Sequence, residues 1–445
     1  MIRQNILGLT ALLLIGSGVN AAGANFLVCP DGSGDYPTIQ QAIDASADGD
    51  VIELANGEFS GRGNKDLDYL GKEITIRSQS GDRDSCTINI EGEFNQTAQR
   101  GFVFLSGEGS ESVLRDLTII NGVADGPCPA CEGAGAYCEY SSPSIINVKF
   151  DGNYALSGAG VTAVGGSPTI IGCTFANNEG LEGAGIMVYD SSAAVIDHCV
   201  FYNNLSSNQG GAIYAHTGSS PTIINCTIVG NWSPMGGGIR LWESGLALEN
   251  TIIAFSDQGE AINVYGEGEI VISYSDLYGN AGGDWTGPIE DQAGINGNMA
   301  ADPLFVDTTA AEYHLQADSP CIDAGNPDSP YDPDGTIADI GAYFYDQTVG
   351  IADQDNLPPN MIALDNYPNP FNASTEIQFN LPAPANARIE IFDLLGRRLE
   401  SINLPSLSAG PQIYIWNAAA YPSGVYFYKF QAAGYSSINR CVLLK

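Results

Sequence analysis

The sequence contains little positive charge. Its 445 residues include 16 Lys and Arg against 52 Asp and Glu, which gives a formal net charge of −36 at pH 7. Nucleic acids and anionic membranes are bound through cationic patches, so this composition argues against both as partners. Between Phe150 and Ala387 the only basic residue is Arg240. Any chemistry in that region that needs a lysine or an arginine therefore depends on one side chain.

Long hydrophobic runs are also lacking, except at the amino terminus. The opening "MIRQNILGLTALLLIGSGVNAAGA" has an early Arg3, an apolar run over residues 6–15, and small residues around Ala21 and Ala22. A membrane-spanning helix needs about 20 apolar residues, so this run is too short to be an anchor. The pattern is typical of a Sec signal peptide. We predict that residues 1–21 are removed on export and that no transmembrane helix remains.

The cysteines are too few at metal spacing to indicate zinc. Ten cysteines in an exported protein permit disulfides, but the sequence does not fix their pairing. Cys128, Cys131 and Cys138 cluster in "PCPACEGAGAYC", where a fourth ligand at zinc spacing is missing. A local disulfide is therefore favoured over a metal site.

The sequence does contain a repeated phrase: "SPSIINVKFDGN" (142–153), "SPTIIGCTFANN" (167–178), "AAVIDHCVFYNN" (193–204) and "SPTIINCTIVGN" (220–231). The equivalent positions, which we call the anchors, are Leu117, Val148, Cys173, Cys199, Cys226, Thr251 and Tyr274. Their period is near 25 residues, which indicates a solenoid whose units bury their apolar faces against one another.

Each repeat predicts strands separated by a bend and a turn. Aliphatic residues three positions before each anchor, and aliphatic or phenylalanine residues two positions after it, lie in short runs typical of strands. The position immediately before the anchor is occupied by residue types that tolerate left-handed backbone angles, and this pattern predicts a bend there. These are Asn147, Gly172, His198, Asn225 and Asn250. Glycine pairs such as "GAGV" (158–161) predict turns, and the whole pattern predicts a parallel β-helix with the three anchor cysteines as buried thiols.

The stretch "DGSGDYPTIQQAIDASADGDVIELANGEFSG" (31–61) resembles the entry of pectin-lyase-like right-handed β-helices, including pectin methylesterases. In that family an amphipathic helix, here about residues 38–47, caps the open end. The coils resemble the right-handed β-helix repeat of bacterial surface proteins, and the resemblance covers roughly residues 27–345. We assign residues 22–347 to a right-handed parallel β-helix of about ten coils with an N-terminal cap.

The composition changes near the carboxyl terminus, where six of the 16 basic residues occur. Such a shift marks a domain boundary, and we assign residues 348–365 to a linker. The alternating "STEIQFNLP", "ARIEIFDLLGRRL" and "GVYFYKFQA" predict strands with one buried face. The expected fold class is therefore all-β, with a right-handed parallel β-helix solenoid followed by a small Ig-like β-sandwich.

Residues 366–445 resemble the type A C-terminal sorting domain of the type IX secretion system. The matching motifs are "YPNPFN" (367–372), "IFDLLGRRL" (391–399), "SGVYFYKF" (423–430) and a basic terminus. The residues that carry the resemblance are Tyr367, Pro368, Asn369, Pro370, Phe371, Asn372, Gly396, Arg397, Gly424, Tyr426 and Lys445. The resemblance implies the type IX machinery as a partner, and a protein that is released or anchored on the outer-membrane surface.

A column of aromatic residues is the leading candidate site. After each glycine turn, alternation sends Ile213 and Ala215 inward and Tyr214 and His216 outward. The hypothetical carbohydrate-binding residues are Tyr189, Tyr214, His216, Arg240, Trp242, Glu243 and Tyr265. Aromatic rings bind the apolar faces of sugars, with polar neighbours giving orientation. The alternative is a stacking ladder that stabilises the sheet.

A second candidate site is the loop "NPDSPYDPDGTIADIGA" (326–342). Asp332, Asp334 and Asp339 place carboxylates around a turn, as calcium prefers, although the terminal glutamate of an EF-hand is absent. We predict a structural calcium here, with an ordinary Asp/Pro/Gly turn as the alternative. No other cofactor is indicated.

The sequence does not identify catalytic residues. A lyase of this fold needs a base, often Arg or Lys, and a hydrolase needs paired acids, whereas Asp197 and Glu249 lie two coils apart. Pectin methylesterase active-site motifs are not recognisable. We therefore predict non-catalytic carbohydrate binding or adhesion, with a neutral polysaccharide as ligand because of the net charge. The alternatives are a polysaccharide lyase or glycoside hydrolase, and a structural surface-layer component.

Overall fold

The structure is a computed structural model. It describes residues 23–96 and 98–347 and, further on, 365–367, 369, 371, 373–381, 384–393, 397–408, 410–419, 421, 424–432 and 435–443. The predicted signal peptide, nearly all of the predicted linker, and Pro368, Pro370, Asn372, Gly396 and Lys445 lie outside the described residues. Within those ranges, no helix is long and apolar enough to cross a bilayer.

Parallel strands wind the first part of the chain into a solenoid of about ten turns. Each strand pairs in register with the strand one repeat later: Ile170 pairs with Ile196, which pairs with Ile223. The largest sheet has 17 strands: Asn25–Val28, Val51–Leu54, Gly57–Phe59, Thr75–Ser78, Cys86–Asn89, Val113–Ile120, Ser144–Asp151, Thr169–Ile171, Thr174–Ala176, Val195–Asp197, Val200–Tyr202, Thr222–Ile224, Thr227–Val229, Leu246–Glu249, Ile252–Ala254, Ile270–Ser273 and Asp276–Tyr278.

Two smaller parallel sheets complete the coils. The second sheet has eight strands: Leu67–Asp68, Phe102–Phe104, Ala136–Glu139, Val161–Val164, Ile186–Tyr189, Ile213–His216, Ile239–Trp242 and Ile262–Tyr265. The third has four: Val123–Ala124, Tyr154–Ser157, Glu179–Glu182 and Leu205–Gln209. Short 3₁₀ helices span Arg83–Ser85, Gly287–Gln292 and Thr308–Ala310.

The predicted cap helix is present as Ile39–Ala45. It begins after Thr38, whose side chain accepts a hydrogen bond from the backbone N–H of Gln41, as an N-cap residue does. Its buried face consists of Ile39, Ala42 and Ile43, which join the core of the solenoid. The helix therefore covers apolar side chains that the first coil would otherwise leave exposed.

The predicted bend is confirmed. Asn147, Gly172, His198, Asn225 and Asn250 all have φ between 48° and 63°, in the left-handed region. Several anchor side chains accept a hydrogen bond from the backbone N–H of the anchor one repeat earlier. The N–H of Val148 donates to Cys173 Sγ, that of Cys199 to Cys226 Sγ, and that of Cys226 to Thr251 Oγ1. These bonds account for the small sulfur or hydroxyl side chains at the anchor.

The prediction for the last anchor is wrong by one residue. Ile252 pairs with Asp276, so the residue equivalent to Thr251 is Ser275, and Thr251 N–H donates to Ser275 Oγ. Tyr274 is instead the bend residue, with φ of 47°. A tyrosine at a left-handed position is uncommon, and the residue types therefore suggested a different alignment.

The inside of the solenoid is filled by stacked identical positions. The ring centroids of Phe150 and Phe175 are 5.0 Å apart, those of Phe175 and Phe201 are 4.7 Å apart, and the rings are nearly parallel. Cys173, Cys199 and Cys226 are buried free thiols, as predicted. The predicted local disulfide joins Cys128 and Cys131, and Cys138 is a buried thiol.

An asparagine ladder was not predicted. Asn153, Asn178, Asn204 and Asn231 are buried, and the amide of each of the first three donates to the side-chain oxygen of the next at 2.9 to 3.1 Å. Each also bonds to the backbone of the preceding coil, as Asn204 does to Phe175 O at 2.9 Å. These bonds satisfy backbone groups that the turn would otherwise bury unpaired. The signal was in the sequence, because the asparagines all lie five residues after the anchor.

Residues 302–347 run back along the outside of the largest sheet, and we call them the strap. The strap includes the antiparallel strands Phe305–Asp307 and Glu312–Leu315. Its buried side chains, among them Ile340, form one cluster with Val200, Val229 and Ile252 of the sheet. Gly341 N–H donates to Asn250 O at 2.9 Å and fixes the strap to the bend column. The strands of the largest sheet that lie beneath the strap are therefore apolar on both faces.

The carboxyl-terminal region forms two antiparallel sheets with their own core. One sheet contains Asp365–Tyr367, Ser374–Leu381 and Gly410–Asn417, and the other contains Ala385–Asp393, Arg398–Leu407, Gly424–Ala432 and Tyr435–Leu443. Trp416, Tyr428 and Phe430 are fully buried. Of the motif residues, Phe371 and Tyr426 lie in this core, Asn369 is half-buried, and Arg397 is exposed. The all-β fold class is confirmed.

Candidate functional site

The eight-stranded sheet carries two outward columns of side chains. Tyr214 pairs with Met187 on one side and Arg240 on the other, and Arg240 pairs with Asn263. We call this the inner column. In the outer column His216 pairs with Trp242, and Trp242 pairs with Tyr265, while the ring of Tyr189 stacks on His216. Tyr189, His216, Trp242 and Tyr265 therefore lie in one column on consecutive strands of the sheet.

The outer column divides into a closed pair and an open pair. The rings of Tyr189 and His216 lie 4.9 Å apart and nearly parallel at 4°, and both residues are half-buried. The rings of Trp242 and Tyr265 lie 4.7 Å apart at 47°. Trp242 is 39% exposed and Tyr265 is 55% exposed. The open pair therefore presents apolar ring surface to solvent.

The inner column is covered, unlike the sequence-based prediction that Tyr214 and Arg240 face solvent. The two residues are 5% and 4% exposed. Alternation does point them outward, but the glycine turns after strands of the third sheet lie over Tyr214, and Gln209 of that sheet contacts Arg240. A Cβ added at Gly183 or Gly210 would lie 3.1 or 2.8 Å from the Cβ of Tyr214, and both glycines have positive φ. The turns can approach this closely because they lack side chains.

Arg240 lies beneath the open pair. Its Nε donates to Gln209 Oε1 at 3.1 Å, and its Nη1 donates to Asn263 Oδ1. Its guanidinium carbon lies 5.5 Å from the ring centroid of Trp242 and 5.9 Å from that of Tyr265. Burial lowers the pKa of Arg240 from its ordinary value. The guanidinium therefore donates to two neutral amides and lies within cation–π distance of both rings.

The closed pair ends in a polar cluster that the sequence did not predict. The hydroxyl of Tyr189 donates to Glu132 Oε2 at 2.8 Å, and burial raises the pKa of Glu132. Arg100 donates from Nε to Glu132 O at 2.8 Å and lies 4.4 Å from the ring centroid of Tyr137. Glu132 is in an irregular segment next to the disulfide, where no periodicity identifies neighbours.

His216 lies between Tyr189 and Tyr214, with 4.9 Å to each ring centroid. Its Nδ1 is 2.6 Å from Thr217 Oγ1, and its Nε2 is buried with no hydrogen-bond partner among the described residues. Burial lowers the pKa of His216, so the neutral ring is favoured. Glu243 is exposed beside Trp242, in the left-handed region with φ of 49°.

The three predicted calcium ligands are bound to the backbone of the strap. Asp339 accepts from the N–H groups of Asp323 and Tyr345, and Asp332 accepts from the N–H of Asp339. Asp334 accepts from the N–H of Gln347 at 3.0 Å. Burial, and then the charge of Asp339, raise the pKa of Asp332 to about 7. In this arrangement the carboxylates accept hydrogen bonds from backbone amides and do not form a coordination site for a cation. Calcium binding remains a prediction.

The closest grouping of metal-type ligands lies elsewhere. Among the described residues, Cys128, Cys131 and Glu132 are the only group of three His, Cys, Asp or Glu whose ligand atoms approach within 4.8 Å. Two of the three are joined in a disulfide, so they do not offer thiolates to a metal. Asp197 and Glu249 occupy equivalent positions, but they have different partners: Asp197 contacts His198, and Glu249 accepts a hydrogen bond from Asn326 of the strap.

Comparisons with known proteins agree with the fold. Residues 74–253 match the family model described as the right handed beta helix region, and residues 365–444 match the secretion system C-terminal sorting domain. The solved structures that match include the pectin methylesterase from Aspergillus niger, at 14% identity, with 76% of this chain and 98% of that chain covered and a TM-score of 0.26. No curated protein matches the sequence.

The chain therefore combines a right-handed β-helix with a carboxyl-terminal sorting domain. The sorting domain identifies it as a protein exported by the type IX system to the cell surface or the extracellular medium. The type IX machinery is consequently a partner. The low similarity to the pectin methylesterase carries no information about activity.

Proposed function

We propose that the protein binds a neutral carbohydrate outside the cell, without cleaving it, at the open pair of Trp242 and Tyr265. The observation that carries the proposal is the exposure of these two rings on adjacent strands, 39% and 55%, above a buried arginine. Ring faces exposed to water lose apolar hydration when a sugar covers them. Because Arg240 holds them in place, little side-chain entropy is lost on binding.

The geometry favours a glycan that crosses the column obliquely. Neighbouring strands are about 4.8 Å apart, which is closer than successive sugars along a chain, so a glycan parallel to the solenoid axis would fit the rings poorly. Tyr214 is buried, so the exposed rings are those of Trp242 and Tyr265. Their centroids are 4.7 Å apart along the column, close enough for one sugar unit to contact both rings while the rest of the glycan crosses the column. Glu243 and Asn263 lie beside the rings as hydrogen-bonding groups for sugar hydroxyls.

The charges favour a neutral ligand. The protein carries a formal net charge of −36, which repels acidic polysaccharides at long range. Among the described residues, Arg240 is the cation that lies against both rings, and it is 4% exposed and already donates to Gln209 and Asn263. It therefore supports the rings in this proposal and is not the principal contact of an acidic sugar.

The titratable groups of the column favour binding over catalysis. The hydroxyl of Tyr189 donates to Glu132, and Nε2 of His216 is buried. A general acid or base must come within hydrogen-bonding reach of the substrate atom that it protonates or deprotonates. These two groups are directed into the protein. The open pair itself presents ring surface and the hydroxyl of Tyr265, with the carboxylate of Glu243 beside it.

The proposal is tested by applying the mature protein to a polysaccharide array. Binding and the release of unsaturated or reducing ends are measured together, for the wild type and for Trp242→Ala. We expect weak binding of neutral glycans, lost in the variant, with no product released. Release of either product would establish the lyase or hydrolase alternative. A wild-type protein that binds no glycan would favour a structural role.

A further inference from the structure

One edge of the sorting domain differs from its other edges. Gly410–Asn417 lies at the end of the three-stranded sheet and pairs antiparallel with Ser374–Leu381. Within the described residues, no strand pairs with its other side. Ile413 and Ile415 are each 60% exposed. An unpaired strand of this kind presents a row of free N–H and C=O groups next to apolar side chains.

The remaining edges carry features that discourage strand pairing. Arg398–Leu407 contains Arg398, Glu400 and Pro405, and its register with the neighbouring strand is interrupted twice. Tyr435–Leu443 contains Arg440, and Asp365–Tyr367 has only three residues. Charges, proline, irregularities and short length are the usual protection of an edge strand. Gly410–Asn417 has no charged residue, and its single proline, Pro411, is near its start.

We propose that Gly410–Asn417 is the docking edge at which an extended segment of the type IX machinery adds as a further β-strand. The match to a sorting domain supplies the occupant, because the function of such a domain is recognition by the secretion machinery. In strand addition, main-chain hydrogen bonds provide affinity, and alternate side chains provide specificity. The partner segment is therefore uncharged, with apolar side chains at two-residue spacing beside Ile413 and Ile415.

The charge of the domain agrees with this mode of recognition. Residues 365–445 carry six basic and five acidic side chains, whereas the whole chain has a net charge of −36. The basic residues are Arg388, Arg397, Arg398, Lys429, Arg440 and Lys445, and the acidic residues are Asp365, Glu376, Glu390, Asp393 and Glu400. A nearly neutral domain offers little net charge to a partner, so backbone pairing and apolar contact carry the recognition.

The test places charges on the docking edge of the full chain in a host with a type IX system. Ile413→Lys with Ile415→Lys should leave the protein folded, since both side chains are exposed, and should reduce surface or secreted protein at least tenfold. Gln378→Lys is the matched control, because Gln378 is exposed on the adjacent strand and pairs with Ile413. This control should be exported normally.

Two further measurements separate the docking edge from a folding defect and from self-association. Ile413→Thr with Ile415→Thr keeps β-branched residues and should still reduce export, while thermal unfolding of the purified chain is retained. A photo-crosslinker at Gln412 should join the wild type to an outer-membrane component of the secretion machinery. Normal export of both double variants, equal loss in Gln378→Lys, or crosslinks only between two copies of this chain would overturn the proposal. None of these results depends on carbohydrate binding.

Discussion

The β-helix covers the outside of one sheet with its own chain and leaves part of another sheet open. Outside the largest sheet, Val200, Val229 and Ile252 are buried under the strap. On the eight-stranded sheet, Trp242 and Tyr265 remain 39% and 55% exposed. Both surfaces are apolar. The strap covers the first surface, whereas the rings of the open pair remain in contact with solvent. This uncovered apolar surface is the carbohydrate site that we propose.

The largest expected effect concerns the covered surface. Ile340 of the strap is fully buried against the sheet, and Ile340→Ala should lower the free energy of unfolding by about 2–5 kcal/mol. Ile337, 36% exposed on the same strap, is the matched control, and Ile337→Ala should change it by less than about 0.5 kcal/mol. Urea unfolding monitored by circular dichroism measures both. Equal effects would mean that the strap is not packed on the sheet.

A buried hydrogen bond of the closed pair should contribute more to stability than an equally short hydrogen bond on the surface. Tyr189→Phe removes the donor to Glu132, which is 8% exposed, and should cost about 1–3 kcal/mol. Tyr140 donates to Asp190 at the same distance of 2.8 Å, but it is 64% exposed. Tyr140→Phe should therefore leave thermal unfolding almost unchanged. A similar loss in both variants would contradict the difference in burial.

The two surfaces should respond to pH in opposite directions. The pKa of Asp332 in the strap is raised to about 7, so its contribution to stability is present below its ordinary pKa near 3.8 and is lost as pH rises through 7. The pKa of His216 is lowered by burial, so its contribution is present above 6.5 and is lost as pH falls through the lowered value.

The melting temperature from pH 4 to 9 measures these two contributions. Asp332→Asn should remove part of the decline at high pH, and His216→Phe should remove part of the decline at low pH while keeping a ring in the stack. If both variants reduced the decline of melting temperature on the same side of the pH range, the environments assigned to Asp332 and His216 would be wrong.

Calcium should have the smallest effect. The carboxylates of Asp332, Asp334 and Asp339 already accept backbone hydrogen bonds, and a cation would have to displace some of them. We expect millimolar calcium to raise the melting temperature at pH 8 by at most about 2 °C, and not at pH 5, where Asp332 is protonated. A larger rise that Asp339→Asn abolishes would show that the loop rearranges into a calcium site.

The sequence was most informative where the same position recurs in every coil. The sequence predicted the period, the bend, and the inward-facing phenylalanines and thiols. These predictions were possible because in-register pairing repeats one environment in many coils. The last bend was misplaced because Tyr274 is a residue type that rarely adopts positive φ. The asparagine ladder followed the same repeat and could have been predicted.

The site was less predictable because burial there depends on chain segments from other sheets. Alternation correctly placed Tyr214 and Arg240 outward, but it carries no information about the glycine turns that cover them. Glu132 reaches Tyr189 from a segment 57 residues away. The strap is likewise a long-range contact, since Ala342 donates to Thr227. Such contacts leave no periodic signal in the sequence.

The central claim is that the open pair binds carbohydrate and the covered surface does not. Calorimetric titration of the mature protein with the glycan selected on the array tests it directly, using Trp242→Ala and, as control, Tyr331→Ala, an aromatic residue on the strap that is 63% exposed. We predict that Trp242→Ala weakens binding by about tenfold or more, a change of at least about 1.4 kcal/mol, with an unchanged melting temperature. Tyr331→Ala should bind as the wild type. Unchanged affinity in Trp242→Ala, or equal loss in both variants, would contradict the account.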